Sequence, residues 1–223
     1  MPFIGKKPTA APLTSSDVAD GIITNAKLAQ DIISGDTALG ATPADTDEFL
    51  VSDAGTLKRV DYSYIKGGGI TQASQWRVTA NFTGGANPIS SNWEEDDVFY
   101  SRIGDAMSVS SGIWTFPETG IWLVTAHANY QFIGEVSYHE LIIYGTDDNS
   151  SYSTLGGSHG ATADLAGSNT AYGTTANAQV LFDVTNTSNC KVKVGIGTPV
   201  SSITKGDSGS NMTWIQFVRL GDT

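Results

Sequence analysis

The feature that most constrains the fold is a series of short segments, from about Gln75 to Arg219, in which apolar and polar residues alternate. Clusters of Gly, Asp, Asn and Ser separate these segments. A period of two places successive side chains on opposite faces of a β-strand, so that one face can be buried. In residues 75–82 the apolar face consists of Trp76, Val78, Ala80 and Phe82. This region is therefore predicted to be mainly β.

The longer segments indicate which strands lie at the centre of the fold. Residues 121–130 have one face that is fully apolar and a second face that is only half polar. Residues 138–144 and 212–219 are apolar on both faces, as central or subunit-contacting strands should be. Further strands are predicted at 98–102, 107–109, 113–115, 178–184 and 191–196. A total of about eight to ten strands fits an antiparallel jelly-roll sandwich over residues 75–223, because this architecture limits exposed edges.

Residues 1–66 are predicted to be unstable in isolation. Prolines at positions 2, 8 and 12 favour an extended arm, because each fixes φ and removes a hydrogen-bond donor. A short helix is predicted at about 24–33, and a β-hairpin within 47–65 with its turn at Asp53-Ala54-Gly55. Both elements are marginal alone in water. We expect them to pack on the predicted jelly roll, called the head below, on a second copy of the chain or on another protein.

Three consecutive glycines mark the predicted domain boundary. Gly67-Gly68-Gly69 is the most flexible connection in the sequence, and residues 67–74 are assigned as a linker. The predicted organisation is an N-terminal segment at 1–66, this linker, and the jelly roll at 75–223.

The charge and composition exclude several classes of partner. A net charge of -11 with only 12 basic residues argues against binding to nucleic acid, since phosphate neutralisation needs clustered Lys and Arg. No apolar run is long enough for a membrane span. The N-terminus lacks the apolar stretch of a secretory signal, which predicts synthesis in the cytoplasm. Cys190 is the single cysteine, so no disulfide within the chain is expected, and its thiol is predicted to be buried and inert.

The sequence offers no motif for catalysis or for a cofactor. Three histidines without metal-ligand spacing are expected to be structural: His127, His139 and His159. The acidic run 94–97 could bind a hard cation, although a solvated loop is the favoured interpretation. Glu140 and Asp183 could act as the paired carboxylates of a polysaccharide hydrolase only if the fold brought them together. We therefore predict a protein that is not an enzyme, with no catalytic residue, cofactor or metal.

Aromatic side chains in loops are the candidates for recognition, because exposed rings stack on sugars. Trp76, Trp122 and Trp214 occupy positions typical of the core. Trp93, in a loop predicted at 87–97, and Trp114 are better placed for exposure, although packing is favoured for both. The Gly- and Ser-rich segment 145–175 is predicted to be a long surface loop, either a recognition loop or a mobile connection. The head residues assigned to recognition are Trp93, Tyr152, His159 and Tyr172.

Three stretches of the second domain resemble a known superfamily. They are GIWTFPETGIWLVTAHA at 112–128, VLFDVTNTSNCKVKVG at 180–195 and MTWIQFVRLG at 212–221. In order and spacing they are similar to the complement-globular-head and tumour-necrosis-factor superfamily. The resemblance implies a ten-stranded jelly roll that assembles as a tight trimer, with binding at the head surface or between subunits. No motif matches the calcium-binding positions of that family.

The N-terminal segment has a resemblance of its own. LTSSDVADGIITNAKLAQDII at 13–33 and DEFLVSDAGTLKRVDYSYI at 47–65 look like segments of tail-fibre and other virion proteins of bacteriophages. This resemblance implies a virion protein: a homotrimeric short fibre or capsid-decorating spike that contacts other virion proteins through 1–66. The alternative is an adhesin at a fibre tip that binds a receptor or glycan on the host. The residues assigned to particle anchoring are Phe3, Ile4, Pro8, Pro12 and Leu13.

Overall fold

The structure is a computed structural model that describes residues 14, 16, 18–19, 37–66, 68–98, 100–133, 136–162 and 171–223. Contacts divide the chain into two compact units, with the division between Gly67 and Gly68. The predicted arm and the helix predicted at about 24–33 lie outside the described residues.

The first unit contains the predicted β-hairpin. Strand β1 (Glu48–Asp53) pairs antiparallel with β2 (Thr56–Asp61), and a single-turn helix α1 (Tyr62–Ile65) follows. The turn residues Ala54 and Gly55 have φ values of 50° and 85°. Positive φ at both central residues is typical of the two-residue turn that matches strand twist, which explains the glycine.

The second unit is all β in its described part, and this confirms the predicted fold class. Its strands in chain order are β3 (Ala73–Val78), β4 (Ala80–Thr83), β5 (Trp93–Glu95), β6 (Ser108–Ser110), β7 (Ile113–Thr115), β8 (Gly120–Ile133), β9 (Val136–Thr146), β10 (Ser153–Thr162), β11 (Ala171–Val184), β12 (Lys191–Gly197), β13 (Ile203–Asp207) and β14 (Trp214–Gly221). Among the described residues no helix has the length and apolarity needed to cross a membrane.

Two antiparallel sheets form the sandwich. One has five strands in the order β10-β9-β12-β7-β6. The other has seven: β4-β13-β8-β14-β3-β5, with β11 paired to β8. The long strand β8 is central to this second sheet, because it pairs with β11 on one edge and with both β13 and β14 on the other.

The core lies between the two sheets and follows the alternation in the sequence. The predicted core face of β8 is buried throughout: Trp122, Val124, Ala126, Ala128 and Tyr130. Trp114 of β7 is fully buried at the centre of an aromatic cluster. Its ring centroid lies 5.0 Å from that of Trp76, 5.3 Å from that of Trp93 and 5.1 Å from that of Phe217. The packed alternative predicted for Trp93 and Trp114 is therefore the one observed.

Several local predictions are wrong. The segment 145–175 is not one long loop, because β10 lies inside it and pairs with β9 through two register shifts. A Cβ on Gly160 would lie 2.9 Å from the carbonyl oxygen of Thr175, so glycine in β10 reflects close approach to β11. Residues 98–102 form no strand in their described part. The structure describes twelve strands in the second unit. Three of them, β5, β10 and β13, lie where no strand was predicted.

Candidate functional site

The outer side of the seven-stranded sheet carries apolar side chains that the core does not use. Leu123 of β8 lies opposite Leu181 of β11 on one edge and Val218 of β14 on the other. Leu181 is 65% exposed, and the other two are half-buried. We use the name β8 face for these three residues, which form one row across the sheet, and for His127 and Trp214, which form a second row. The half-polar second side predicted for residues 121–130 belongs to this surface.

His127 is held in place by its two neighbours on the β8 face. Its ring is stacked on that of Trp214, with centroids 5.6 Å apart and an interplanar angle of 14°. Its Nδ1 lies 2.6 Å from Oδ1 of Asn177. Because an amide oxygen only accepts hydrogen bonds, Nδ1 donates, and this fixes the tautomer of the neutral ring. The histidine is therefore an ordered part of the face.

Two of the three polar residues between the two rows are hydrogen-bonded to each other. Gln179 donates from Nε2 to Oγ1 of Thr125 at 3.0 Å. Gln216 lies opposite Thr125 on the neighbouring strand. The bonded pair of Gln179 and Thr125 loses little when water leaves this face, whereas burial of the exposed Leu181 side chain is stabilising. The β8 face is therefore suited to burial against another protein surface.

At the β3–β5 edge of the same sheet, Arg77 is buried by carboxylates. Its side chain is completely inaccessible to solvent. The guanidinium donates to Oδ1 of Asp96 at 2.7 Å and to Oε1 of Glu94 at 2.9 Å, and it also pairs with Asp97. The sequence places Arg77 on the outer, polar side of its strand, but the acidic segment covers it there. The charge of Arg77 is thus fully compensated.

Asp96 is the most buried of these carboxylates. Burial by itself would raise the pKa of Asp96, but hydrogen bonds from Asn211, the Val98 amide and Gln75, with the charge of Arg77, lower it below its usual value. Asn211 donates to Oδ2 at 2.7 Å and Gln75 at 3.0 Å. Asp96 therefore stays ionised and anchors the segment on the sheet.

The acidic run 94–97 is accordingly neither a solvated loop nor an open carboxylate cluster. Its first two residues belong to β5, and Glu95 pairs with Arg102 at 2.7 Å. Within the described ranges, no group of three or more His, Cys, Asp or Glu side chains is arranged to hold a metal ion. The run neutralises Arg77 of the same sheet and Arg102 of the segment that follows β5.

The outer side of the five-stranded sheet has a different character. Lys193 of β12 lies opposite Tyr144 of β9. Its Nζ is 5.2 Å from the ring centroid of Tyr144 and 4.6 Å from that of Tyr152. The pKa of Tyr152 is raised by burial and by the charge of Asp148. We call the lysine and its two tyrosines the Lys193 site.

The recognition residues assigned from the sequence are distributed over the head. Tyr152 belongs to the Lys193 site, and His159 of β10 pairs with Glu140 on the same sheet, with Nε2 3.0 Å from Oε1. Trp93 lies in β5 rather than in a loop, and its indole N–H donates to the carbonyl of Ile89 at 2.8 Å. Tyr172 lies in β11. The structure brings two of the four to one sheet face, and it places Trp93 against the core.

No arrangement for catalysis is formed by the remaining candidates in the described chain. Glu140 lies in the five-stranded sheet and Asp183 in the seven-stranded sheet. His139 is fully buried and stacked on Tyr130, with centroids 4.7 Å apart. Cys190 is a buried free cysteine, as predicted. The five residues assigned to particle anchoring, Phe3, Ile4, Pro8, Pro12 and Leu13, lie outside the described residues.

Sequence reasoning missed the residues that define both outer faces. Trp214 was expected in the core, but it is half-buried on the β8 face. The apolar character of both sides of 212–219 was the signal for it, since one of the two sides must face outward. Nothing in the sequence around Tyr144 and Lys193 predicts that the two side chains meet. Their approach depends on the pairing of strands about 50 residues apart.

No protein-family model and no curated protein matches the chain. Among solved structures, it is similar to Eiger TNF from S. frugiperda, with 13% identity and a TM-score of 0.51 over 70% of this chain and 96% of that one. It is also similar to murine APRIL at pH 5.0, with 13% identity and a TM-score of 0.48 over 67% of this chain and 98% of that one. At these identities the likeness concerns the fold alone, which is a TNF-like jelly roll.

Proposed function

We propose that this chain is a structural protein of a bacteriophage particle, a homotrimeric short fibre or capsid-decorating spike. In this proposal residues 1–66 attach to other virion proteins, and the jelly roll projects outward as the head. The observation that carries it is the β8 face, an apolar surface on a sheet whose other side already forms the core. The virion context is supported by the sequence resemblance of 13–33 and 47–65.

Self-association through the β8 face has a clear driving force. Burying an exposed leucine side chain stabilises a complex by at most about 1.5–3 kcal/mol. Leu181 is 65% exposed and lies in one row with Leu123 and Val218, so their burial would add together. Symmetric homo-oligomers close by repeating one interface, so in a trimer the apolar row of every copy would be buried. The resemblance in the head sequence implies that three copies assemble.

The hairpin of the first unit supports the anchoring role. Every residue of β1 is exposed, including Leu50 at 74%, and Leu57 of β2 is 68% exposed. Helix α1 has no buried residue, and its Tyr64 is 81% exposed. A two-stranded hairpin is at best marginally stable in water. Its apolar side chains are therefore available for a partner such as a neighbouring virion protein.

The assembly is tested by sedimentation equilibrium of the full chain at micromolar concentration. We expect the wild-type protein to sediment with three times the mass of the chain. Leu123→Asp places an unpaired carboxylate in the centre of the β8 face and should yield monomers. Val200→Asp is the matched control, because Val200 is 87% exposed but lies outside that face, and it should remain trimeric.

A monomeric wild-type protein would overturn the trimer. A Leu123→Asp protein that remained trimeric with unchanged affinity would show that another surface mediates assembly. Circular dichroism of both variants separates loss of assembly from loss of folding.

The anchoring role is tested by deleting residues 1–66. Phage particles assembled with the shortened chain should lack the head domain in immunogold electron micrographs, whereas particles with the full chain should carry it. Normal incorporation of the shortened chain would contradict an N-terminal anchor without affecting the trimer.

A further inference from the structure

Most basic side chains of the described chain are paired with carboxylates, and two of the three exceptions lie close together on one strand. Of the 12 basic residues, Lys6, Lys7 and Lys27 lie outside the described residues. Six of the others form ion pairs with carboxylates: Lys58, Arg59, Lys66, Arg77, Arg102 and Arg219. Within the part of the chain that the structure describes, Lys191, Lys193 and Lys205 have no carboxylate within ion-pair distance. This is unexpected in a chain with 23 acidic residues.

Two of these lysines lie on the same side of β12. Lys191 and Lys193 are two residues apart, so their Cα atoms are roughly 6.6 Å apart on the outer face of the five-stranded sheet. Nζ of Lys191 donates to Oγ1 of Thr115 at 3.0 Å and to the carbonyl of Thr187 at 2.7 Å. Both acceptors are neutral, so they satisfy hydrogen bonds and leave the charge uncompensated. Lys191 is itself buried, so its ammonium adds positive charge beside Lys193 without being a second contact for a ligand.

The ammonium of Lys193 is also held in position. It lies 5.2 Å from the ring centroid of Tyr144 and 4.6 Å from that of Tyr152, within the range of cation–π attraction. The ring of Tyr144 extends across the sheet onto Gly195, where a Cβ would lie 2.8 Å from Cε2 of the ring. Glycine at that position therefore makes room for the tyrosine. A cation fixed in this way loses little conformational entropy when it binds an anion.

The surroundings of this cation favour a sugar as the carrier of the anion. Tyr144 and Tyr152 offer ring surface and hydroxyl groups, the combination that binds carbohydrates. Further along β9, Glu140 and its partner His159 provide hydrogen-bonding groups for uncharged hydroxyls. Glu140 is four residues from Tyr144, a distance of roughly 13 Å along the strand, which exceeds the size of a single sugar ring.

We propose that the Lys193 site binds a carboxylated carbohydrate, such as a uronic-acid chain of a cell-surface polysaccharide, with the sugar carboxylate on Lys193. A chain with several sulfates per sugar fits less well than one with a single carboxylate per sugar, because Glu140 and the net charge of -11 repel each additional negative charge. The assignment adds a ligand to the head and does not depend on the trimer or on the virion context.

Calorimetric titration of the full-length protein with a galacturonic acid oligosaccharide tests the site. We expect saturable binding that weakens as salt rises, and much weaker binding of an uncharged oligosaccharide of equal length. Lys193→Gln should weaken binding at least about tenfold, since a charge-assisted hydrogen bond is lost. Tyr152→Leu should weaken it several-fold, and Lys193→Arg should keep most of it.

Lys205→Gln is the matched control. Lys205 is also without a carboxylate partner in the described chain, but it lies in β13 of the other sheet, where its Nζ is 3.4 Å from Oε1 of Gln131. Its substitution removes the same charge and should leave the affinity unchanged. Unfolding midpoints of all variants verify that the sheets are intact.

Three outcomes would overturn the proposal. They are no binding of the galacturonic acid oligosaccharide, equal binding of the uncharged one, and equal losses in Lys193→Gln and Lys205→Gln. Tighter binding of a dextran sulfate oligosaccharide, which carries sulfates and no carboxylate, would also overturn it, because the site would then select charge density rather than a carboxylated sugar. Failure here leaves the sedimentation result untouched, so the two proposals fail separately.

Discussion

The outer faces of the two sheets differ in whether their basic side chains are paired with carboxylates. On the seven-stranded sheet, Arg77 is buried beneath three carboxylates, and Leu181, on another strand of the sheet, is 65% exposed. On the five-stranded sheet, Lys191 and Lys193 have no carboxylate partner within the described chain, and aromatic rings surround the second of them. The same alternation of strands thus produces two different surfaces.

This difference separates a surface for assembly from a surface for a ligand. A face with compensated charges and exposed leucines is stabilised when a second protein surface removes water from it. A face with an uncompensated ammonium group pays a desolvation cost if an apolar surface covers it, and it is stabilised by an incoming anion. We therefore assign association to the β8 face and ligand binding to the Lys193 site.

The strongest test of this contrast replaces a cation on each sheet by leucine. Arg77→Leu leaves Asp96, whose side chain is 3% exposed, as a buried charge without its cation. Loss of one partner of a buried ion pair typically costs about 3–5 kcal/mol, and we expect that loss in the free energy of unfolding in urea. Lys193→Leu should change it by no more than about 0.5 kcal/mol, because that charge is not compensated in the fold.

A double variant tests whether the uncompensated charge of Asp96 causes this loss of stability. Adding Asp96→Asn to Arg77→Leu removes the stranded charge and should recover part of the loss. Equal effects of Arg77→Leu and Lys193→Leu would remove the contrast between the two faces.

The pH dependence of the free energy of unfolding tests the environment of His139. His139, on the core side of the five-stranded sheet, is fully buried, and burial lowers its pKa below the ordinary 6.5. Below about pH 6.5 the unfolded chain binds a proton that the folded chain excludes, so stability falls as the pH falls. The slope is at most about 1.4 kcal/mol per pH unit and ends where the pH reaches the lowered pKa.

Urea unfolding between pH 7.5 and roughly pH 5 measures this slope, because the carboxylates change protonation at lower pH. In His139→Gln the contribution should disappear, although the variant loses the contact of Nδ1 with Oγ1 of Thr198 at 2.7 Å. A wild-type slope equal to that of His139→Gln would contradict a neutral buried ring.

The sequence could predict the parts of the fold that depend on local alternation. The buried side of β8 and the hairpin of β1 and β2 follow from period-two patterning and from a turn that needs positive φ at Gly55. These signals lie within one segment of chain, so no knowledge of partners is needed. Strand β10 was missed because its glycines, which permit close approach to β11, are also typical of a loop.

The buried Arg77 and the Lys193 site both depend on partners that are distant in the sequence. Arg77 is an outward polar residue by pattern, and it is buried only because the run 94–97 returns over it. Lys193 meets Tyr144 and Tyr152 through the pairing of β12 with β9 and of β9 with β10. Single-sequence periodicity specifies which side of a strand a residue faces, and it does not specify which strands become neighbours.

The smallest expected effect compares one exposed apolar residue on each sheet. Leu181→Ser on the β8 face should weaken self-association by about 1–2 kcal/mol per copy, since the burial of one leucine is lost. Tyr138→Ser on β9 is the counterpart, because Tyr138 is 48% exposed on the five-stranded sheet, and it should leave the association constant unchanged. Sedimentation equilibrium at several protein concentrations measures both. If Tyr138→Ser weakened association as much as Leu181→Ser, the copies would meet through both sheets, and the Lys193 site would then lie beside an interface rather than on a free face.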